Sequence, residues 1–143
     1  MKRFSIVVVL ILLIGSVGVG IAKPLPADPA INAFWEKFKA AVIKGDKEAV
    51  FAMSALPIGM SFGESNIRTK AQFMKSYRNI FADQVNAAKC FNTAKPQVDK
   101  TRRGEFFVTC PFAKDSSGEE PFGYTFKLTR VGWRFVRFEN VNE

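Results

Sequence analysis

Histidine is missing from all 143 residues. Its absence rules out a Ser-His-Asp triad, a Cys-His nucleophile pair and the usual His-based zinc sites. Cysteine is almost as scarce, with Cys90 and Cys110 the two in the chain. Two thiols cannot build a structural zinc site, and they are not spaced as a redox CxxC. No metal or cofactor is expected. Neither a P-loop nor a dinucleotide fingerprint occurs. Repeats and low-complexity segments are also lacking.

Basic residues exceed acidic ones, 21 against 13. They are dispersed rather than gathered in a block, the pattern of a solvated surface. The alternative is attraction to an acidic protein, an anionic lipid or a surface polymer. The chain opens MKRFSIVVVLILLIGSVGVGIAKPLP. A basic start, an apolar run and small residues at Gly20 and Ala22 are the marks of a secretory signal peptide over residues 1–22. The uncharged span from Phe4 to Ala22 is also long enough for a membrane anchor if it is kept. With cleavage the protein is periplasmic or extracellular and keeps no stable membrane span. Residues 23–29 then form a Pro-containing spacer, and residues 30–143 a length suited to one domain. In an exported protein the even pair Cys90 and Cys110 points to a disulfide, with two buried free thiols the alternative.

Local signals mark the elements. Asp28-Pro29 supplies a helix N-cap and a proline at the first helical position. Ile31, Phe34, Trp35, Phe38 and Val42 share one helical face. Lys44-Gly45 ends that helix, and Asp46 caps a short second one through about Met53. Leu56, Ile58, Met60 and Phe62 alternate as in a strand, and Pro57 confines that strand to an edge. Thr69-Lys70-Ala71-Gln72 is a capping box. The helix behind it carries Phe73, Tyr77, Ile80 and Phe81 as a stripe and is expected to run to Lys89-Cys90. Strands follow at 97–100, 105–112 and 124–129, with a last one in GWRFVRFENV, residues 132–141.

That last strand has aromatic residues on both faces. A three-residue turn, Arg130-Val131-Gly132, would pair Tyr124 with Phe138 and Phe126 with Val136. The core face is then Tyr124, Phe126, Leu128, Val136 and Phe138. Phe107, Trp133 and Phe135 are left on the outer face among Thr109, Thr125, Lys127 and Arg137. An apolar patch ringed by basic groups reads as an interface formed by Phe107, Trp133, Phe135, Lys127 and Arg137, or as aromatics covered by the Lys and Arg stems.

FWEKFKAAVIKGDKEAV, TKAQFMKSYRNIF and FKLTRVGWRFVRF together resemble the nuclear transport factor 2-like superfamily, in its uncharacterised exported branch, over about residues 30–141. The resemblance implies an α+β domain: N-terminal helices packed on a curved antiparallel sheet, cone-like, in one domain. It further implies a cavity between helices and sheet, and often homodimers through the outer sheet face. Members include ketosteroid isomerase, dehydratases and binding domains.

Three functional readings follow. In the first, Trp35, Phe38, Tyr77 and Tyr124 line a cavity for a small apolar or amphipathic ligand, and the protein is a binding or interaction domain rather than an enzyme. The second is an isomerase-like or dehydratase-like acid/base enzyme using Glu64 with Tyr77 or Tyr124. The third is an inhibitor or immunity-type protein that blocks an acidic partner. RRGEFFVTC has a superficial likeness to an RNA-recognition strand, but Glu105 and Phe106 stand where an aromatic and a small residue belong. No nucleic-acid partner is expected.

Overall fold

The computed structural model describes residues 28–61, 65–98, 100–114 and 121–142. The proposed signal peptide, Glu64 and the 115–120 loop lie outside them. Helix α1 (Pro29–Lys44) starts where Asp28 accepts the Ala30 N–H at 2.8 Å. It stops at Gly45, whose φ of 70° is costly for any residue with a Cβ. Helix α2 (Lys47–Ala52) is capped by the Asp46 side chain on the Ala49 N–H. The capping box forms at the start of α3 (Lys70–Arg78), where Thr69 and Gln72 satisfy each other's backbone N–H groups.

The expected long third helix is interrupted. After α3 the backbone widens into a π-turn (Asn79–Asp83), in which the Gln84 N–H reaches back to the Asn79 carbonyl. A short helix α4 (Ala87–Phe91) then begins afresh under an Asn86 cap. Apolar periodicity shows which face is buried but not where a helix breaks, so this interruption could not be read from the sequence.

Strands β1 (Ser54–Met60), β2 (Gln97–Val98), β3 (Glu105–Pro111), β4 (Pro121–Thr129) and β5 (Gly132–Asn140) form one sheet in the order β1-β5-β4-β3-β2. Strands β2 to β5 pair antiparallel, as expected. Strand β1 corrects the all-antiparallel expectation, for it joins the edge parallel to β5, with an irregularity between Ser54 and Gly59. Pro57 lies in that gap and has no N–H to give the ladder. The helices lie across one face of this curved, unclosed mixed sheet, giving the cone-like α+β domain. The disulfide Cys90–Cys110 ties α4 to β3 with the Cα atoms 5.9 Å apart.

Strand β5 corrects the sequence reading most. Thr129 pairs with Gly132, Leu128 with Trp133 and Phe126 with Phe135, so the turn is two residues, Arg130-Val131. Between Phe126 and Thr125 the register shifts, and Thr125 pairs with Arg137. Val136 is the extra residue of a β-bulge, and the bulge reverses which faces the strand presents. Trp133 and Phe135 therefore face the helices, as Phe138 does. Phe135 is fully buried, and Trp133 packs edge-on against Phe106 at 5.0 Å.

The energetics favour this arrangement. Interrupting the ladder forfeits about 1 kcal/mol of hydrogen bonding. Burying an additional large aromatic side chain gains about 2–3 kcal/mol. The pairings Tyr124–Phe138 and Thr125–Arg137 come out as expected, whereas Phe126–Val136 does not. Leu128 keeps the expected face, opposite Trp133, but is 52% exposed near the hairpin tip.

Candidate functional site

The four residues expected to line a cavity do meet, within the buried core. Trp35, Phe38 and Tyr124 are all but inaccessible, and Tyr77 is buried. Neighbouring rings occupy the space around them. Trp35 lies 4.7 Å from Phe91, Phe38 lies 4.9 Å from Phe126, and Tyr124 lies 5.0 Å from Phe91. Phe81 bridges Tyr77 at 4.8 Å and Tyr124 at 5.5 Å. Among the described residues these side chains form the core and not the wall of an open chamber. The sequence carries 15 phenylalanines, and periodicity cannot distinguish rings that line a space from rings that fill it.

The two tyrosines fare differently. The π-turn sends the Gln84 N–H to Asn79, and the Ile80 carbonyl accepts the Tyr124 hydroxyl at 2.7 Å instead. Burial, and then the nearby Tyr77, hold the Tyr124 phenol well above its ordinary pKa of 10.0. The Tyr77 hydroxyl is buried with no hydrogen-bond partner among the described residues. Burial and then Asp46 raise its pKa as well, while the Lys47 ammonium sits 5.4 Å from its ring. Asp46 is engaged as the α2 cap. The acid/base reading rested on Glu64, which lies outside the described residues. No group of three His, Cys, Asp or Glu able to hold a metal occurs among the described residues.

The opposite face of the sheet is built differently. Alternation along β3, β4 and β5 points Glu105, Phe107, Gly123, Thr125, Lys127, Arg137 and Glu139 away from the helices. Cross-strand pairing places Glu105 beside Lys127, Phe107 beside Thr125, and Gly123 beside Glu139. The segment after β2 and the chain end after β5 rise at the two sides. Between them lies a half-open hollow of about 440 Å³, lined by residues that include Val98, Lys100, Arg102, Glu105, Phe107 and Thr125. Gly123 keeps the floor low, since a Cβ there would meet the Val141 side chain at 3.3 Å.

Cations outnumber carboxylates around this hollow, with Lys100 and Arg102 in its lining and Lys127 and Arg137 beside it. Glu105 lies 3.7 Å from Arg102 and 3.9 Å from Lys127. Arg137 is 3.3 Å from Glu139, which also takes a 3.4 Å hydrogen bond from Thr125. One of the Glu105 oxygens, Oε2, is buried and receives no hydrogen bond among the described residues.

Of the five residues expected at an interface, Phe107, Lys127 and Arg137 lie on this face. Trp133 and Phe135 do not, because the bulge at Val136 turns them inward. Alternation had put Thr125 on the outer face already. What the sequence reading missed is the wall made by Val98, Lys100 and Arg102, which belongs to a stretch without periodicity.

Solved structures with an NTF2-like or cystatin-like fold are distantly similar to this chain. An "ntf2-like protein with a cystatin-like fold" from Novosphingobium aromaticivorans is similar at 17% identity, with 78% of each chain covered and a TM-score of 0.44. A protein of the NTF2-like family from Streptomyces avermitilis, provisionally named a dehydratase, is similar at 15% identity over 78% of this chain and 92% of that one, with a TM-score of 0.45. A cystatin-like-fold protein from Caulobacter vibrioides is similar at 12% identity over 78% and 85%, with a TM-score of 0.46. No family model matches the sequence, and no curated protein matches it. Likenesses at this distance carry no function, so the function has to be argued from this chain's own site.

Proposed function

We propose that this is an exported, non-enzymatic binding domain that works through the outer face of its sheet. The observation that carries this reading is the contrast between the two faces. The helix side buries aromatic rings such as Phe38, Tyr124 and Phe135, whereas the outer side holds a hollow lined by Phe107, Glu105 and Thr125 among others. The Cys90–Cys110 bond fits an oxidising compartment. No helix among the described residues is long and apolar enough to cross a membrane. A second copy of the chain and an acidic protein are the competing occupants of the face.

Two experiments test this reading. N-terminal sequencing of protein recovered from the exported fraction is expected to begin at Lys23, and a retained Met1 would contradict cleavage. Amide shift mapping with small aromatic probes, together with sedimentation equilibrium, tests the face. Perturbation or self-association at Phe107 and Thr125, weakened by Phe107→Lys, is the expected result. A monomer whose outer-face amides respond to nothing at millimolar concentration would overturn the binding reading.

A further inference from the structure

A second surface lies at one end of the sheet rather than on its outer face. We propose that this end docks the domain onto an anionic lipid surface. The proposal does not rest on the hollow and stands or falls separately from it.

Charge comes first. Along the chain the basic residues are dispersed, but the fold gathers six of them. Lys100, Arg102 and Arg103 lie between β2 and β3, and Lys127, Arg130 and Arg134 lie around the β4–β5 turn. The two segments touch, since Glu105 pairs with Lys127 and the Leu128 N–H donates to the Gly104 carbonyl at 2.8 Å. Residues 98–105 and 127–134 contain six basic and two acidic side chains, so they hold half of the chain's net charge of +8. Of the two acids, Asp99 lies outside the described residues. Glu105 is tucked in, its side chain 12% exposed between those of Arg102 at 53% and Lys127 at 58%. Solvent therefore meets an excess of cations.

A solvated basic surface needs no apolar tip, yet this end has one. Val131 in the turn is 72% exposed, and Leu128 behind it is 52% exposed. Turns normally carry Gly, Asn, Asp or Ser at such places. The turn is also held in shape. The Thr129 hydroxyl donates to the Gly132 carbonyl at 2.7 Å and accepts the Val131 N–H at 3.2 Å. Two strand steps, about 7 Å, separate Leu128 from the turn. Interfacial amphipathic helices bury their apolar face to a similar depth, roughly 5–10 Å, and leave their cations among the headgroups.

The two features together select the occupant. A hairpin tip is too narrow to bury the roughly 800 Å² a side of a standard protein contact. A nucleic acid or a sulfated polymer would use the cations but leave Val131 and Leu128 in water. A lipid surface takes both, because binding there grows with buried apolar area and with each Lys or Arg near an anionic leaflet.

The test is co-sedimentation of the oxidised protein, recovered from the exported fraction, with vesicles of phosphatidylcholine alone or with phosphatidylglycerol added. Binding is expected on the anionic vesicles and should weaken as salt rises. Arg103→Gln with Arg130→Gln should weaken it about 25-fold, about fivefold for each cation removed. Val131→Asn with Leu128→Thr keeps every charge and should weaken it about tenfold. Lys89→Gln with Lys114→Gln removes two charges near the far end of β3, about 20 Å along the strand, and should change it less than about twofold. All six replaced side chains are exposed. Trp133, opposite Leu128, should be quenched by spin-labelled lipid on the anionic vesicles.

Equal binding to neutral and anionic vesicles would overturn the proposal. So would equal losses in the Arg103/Arg130 and Lys89/Lys114 pairs, which would take the contact away from this end. Binding to heparin and to anionic vesicles alike, with no loss in the Val131/Leu128 pair, would replace the lipid surface with a soluble polyanion.

Discussion

Removing the hydroxyl from each of the two tyrosines should change stability in opposite directions. The groups are chemically identical and both are buried, and what separates them is a partner. The Tyr124 hydroxyl donates to the Ile80 carbonyl at 2.7 Å, at a residue with no accessible surface. Tyr124→Phe would leave that carbonyl bare inside the core, because the π-turn has already diverted the Gln84 N–H to Asn79. An orphaned buried acceptor costs about 1–3 kcal/mol. At about 4 °C per kcal/mol for a domain of this size, the melting temperature should fall by about 4–12 °C. Tyr77→Phe removes a hydroxyl that has no partner among the described residues. It should be neutral or stabilising by up to about 1–2 kcal/mol, the desolvation cost recovered. Urea denaturation read by circular dichroism and tryptophan fluorescence measures both. Equal losses in the two variants would refute the reasoning, and so would a loss at Tyr77 greater than at Tyr124.

Three other outcomes are expected. Both tyrosine pKa values are raised by burial, so the folded state holds its phenolic protons where the unfolded chain has lost them. Stability is therefore full below the unfolded value of 10.0 and falls as pH rises above it, less steeply in Tyr124→Phe, which an alkaline series of urea melts will show. Replacing Cys90 and Cys110 together by serine opens a loop with a sequence separation of 20 and should cost about 3 kcal/mol, matched by wild type under reductant. Deleting Val136 removes the bulge and forces either Trp133 and Phe135 or Phe138 out of the core. The loss should approach that of a buried Phe→Ala, about 3–5 kcal/mol, and retention of wild-type stability would show that the strand re-pairs without it.

Chain-local features were legible in the sequence because their causes are local. Asp28-Pro29, Gly45, Asp46 and the Thr69/Gln72 box each act through backbone groups within a few residues, and each marks an element boundary as the sequence reading placed it. Alternation gave the inward face of β3, with Phe106, Val108 and Cys110 buried and Cys110 within reach of α4. It also put Phe107 and Thr125 on the outside. The helices-on-sheet arrangement was what the resemblance implied.

What the sequence could not settle depends on groups far apart in the chain. Whether GWRFVRFENV carries a bulge is decided by the space beneath the helices, which has room for Trp133, Phe135 and Phe138 together. A period-two pattern has no term for a residue that drops out of step. The π-turn is matched by Tyr124, a residue 44 positions away from the carbonyl it engages. The hollow arises because an aperiodic segment after β2 and the chain end after β5 flank a sheet whose floor is lowered by a glycine. The sequence by itself determined the caps, the α+β class and most of the buried set, which rest on short-range spacing, and it suggested the Cys90–Cys110 pair from the even cysteine count. Only the tertiary structure decided that Trp35, Phe38, Tyr77 and Tyr124 are buried among other rings, that Phe135 lies with them, and that a half-open hollow lies on the other face, because these are outcomes of volume and of pairing between distant strands.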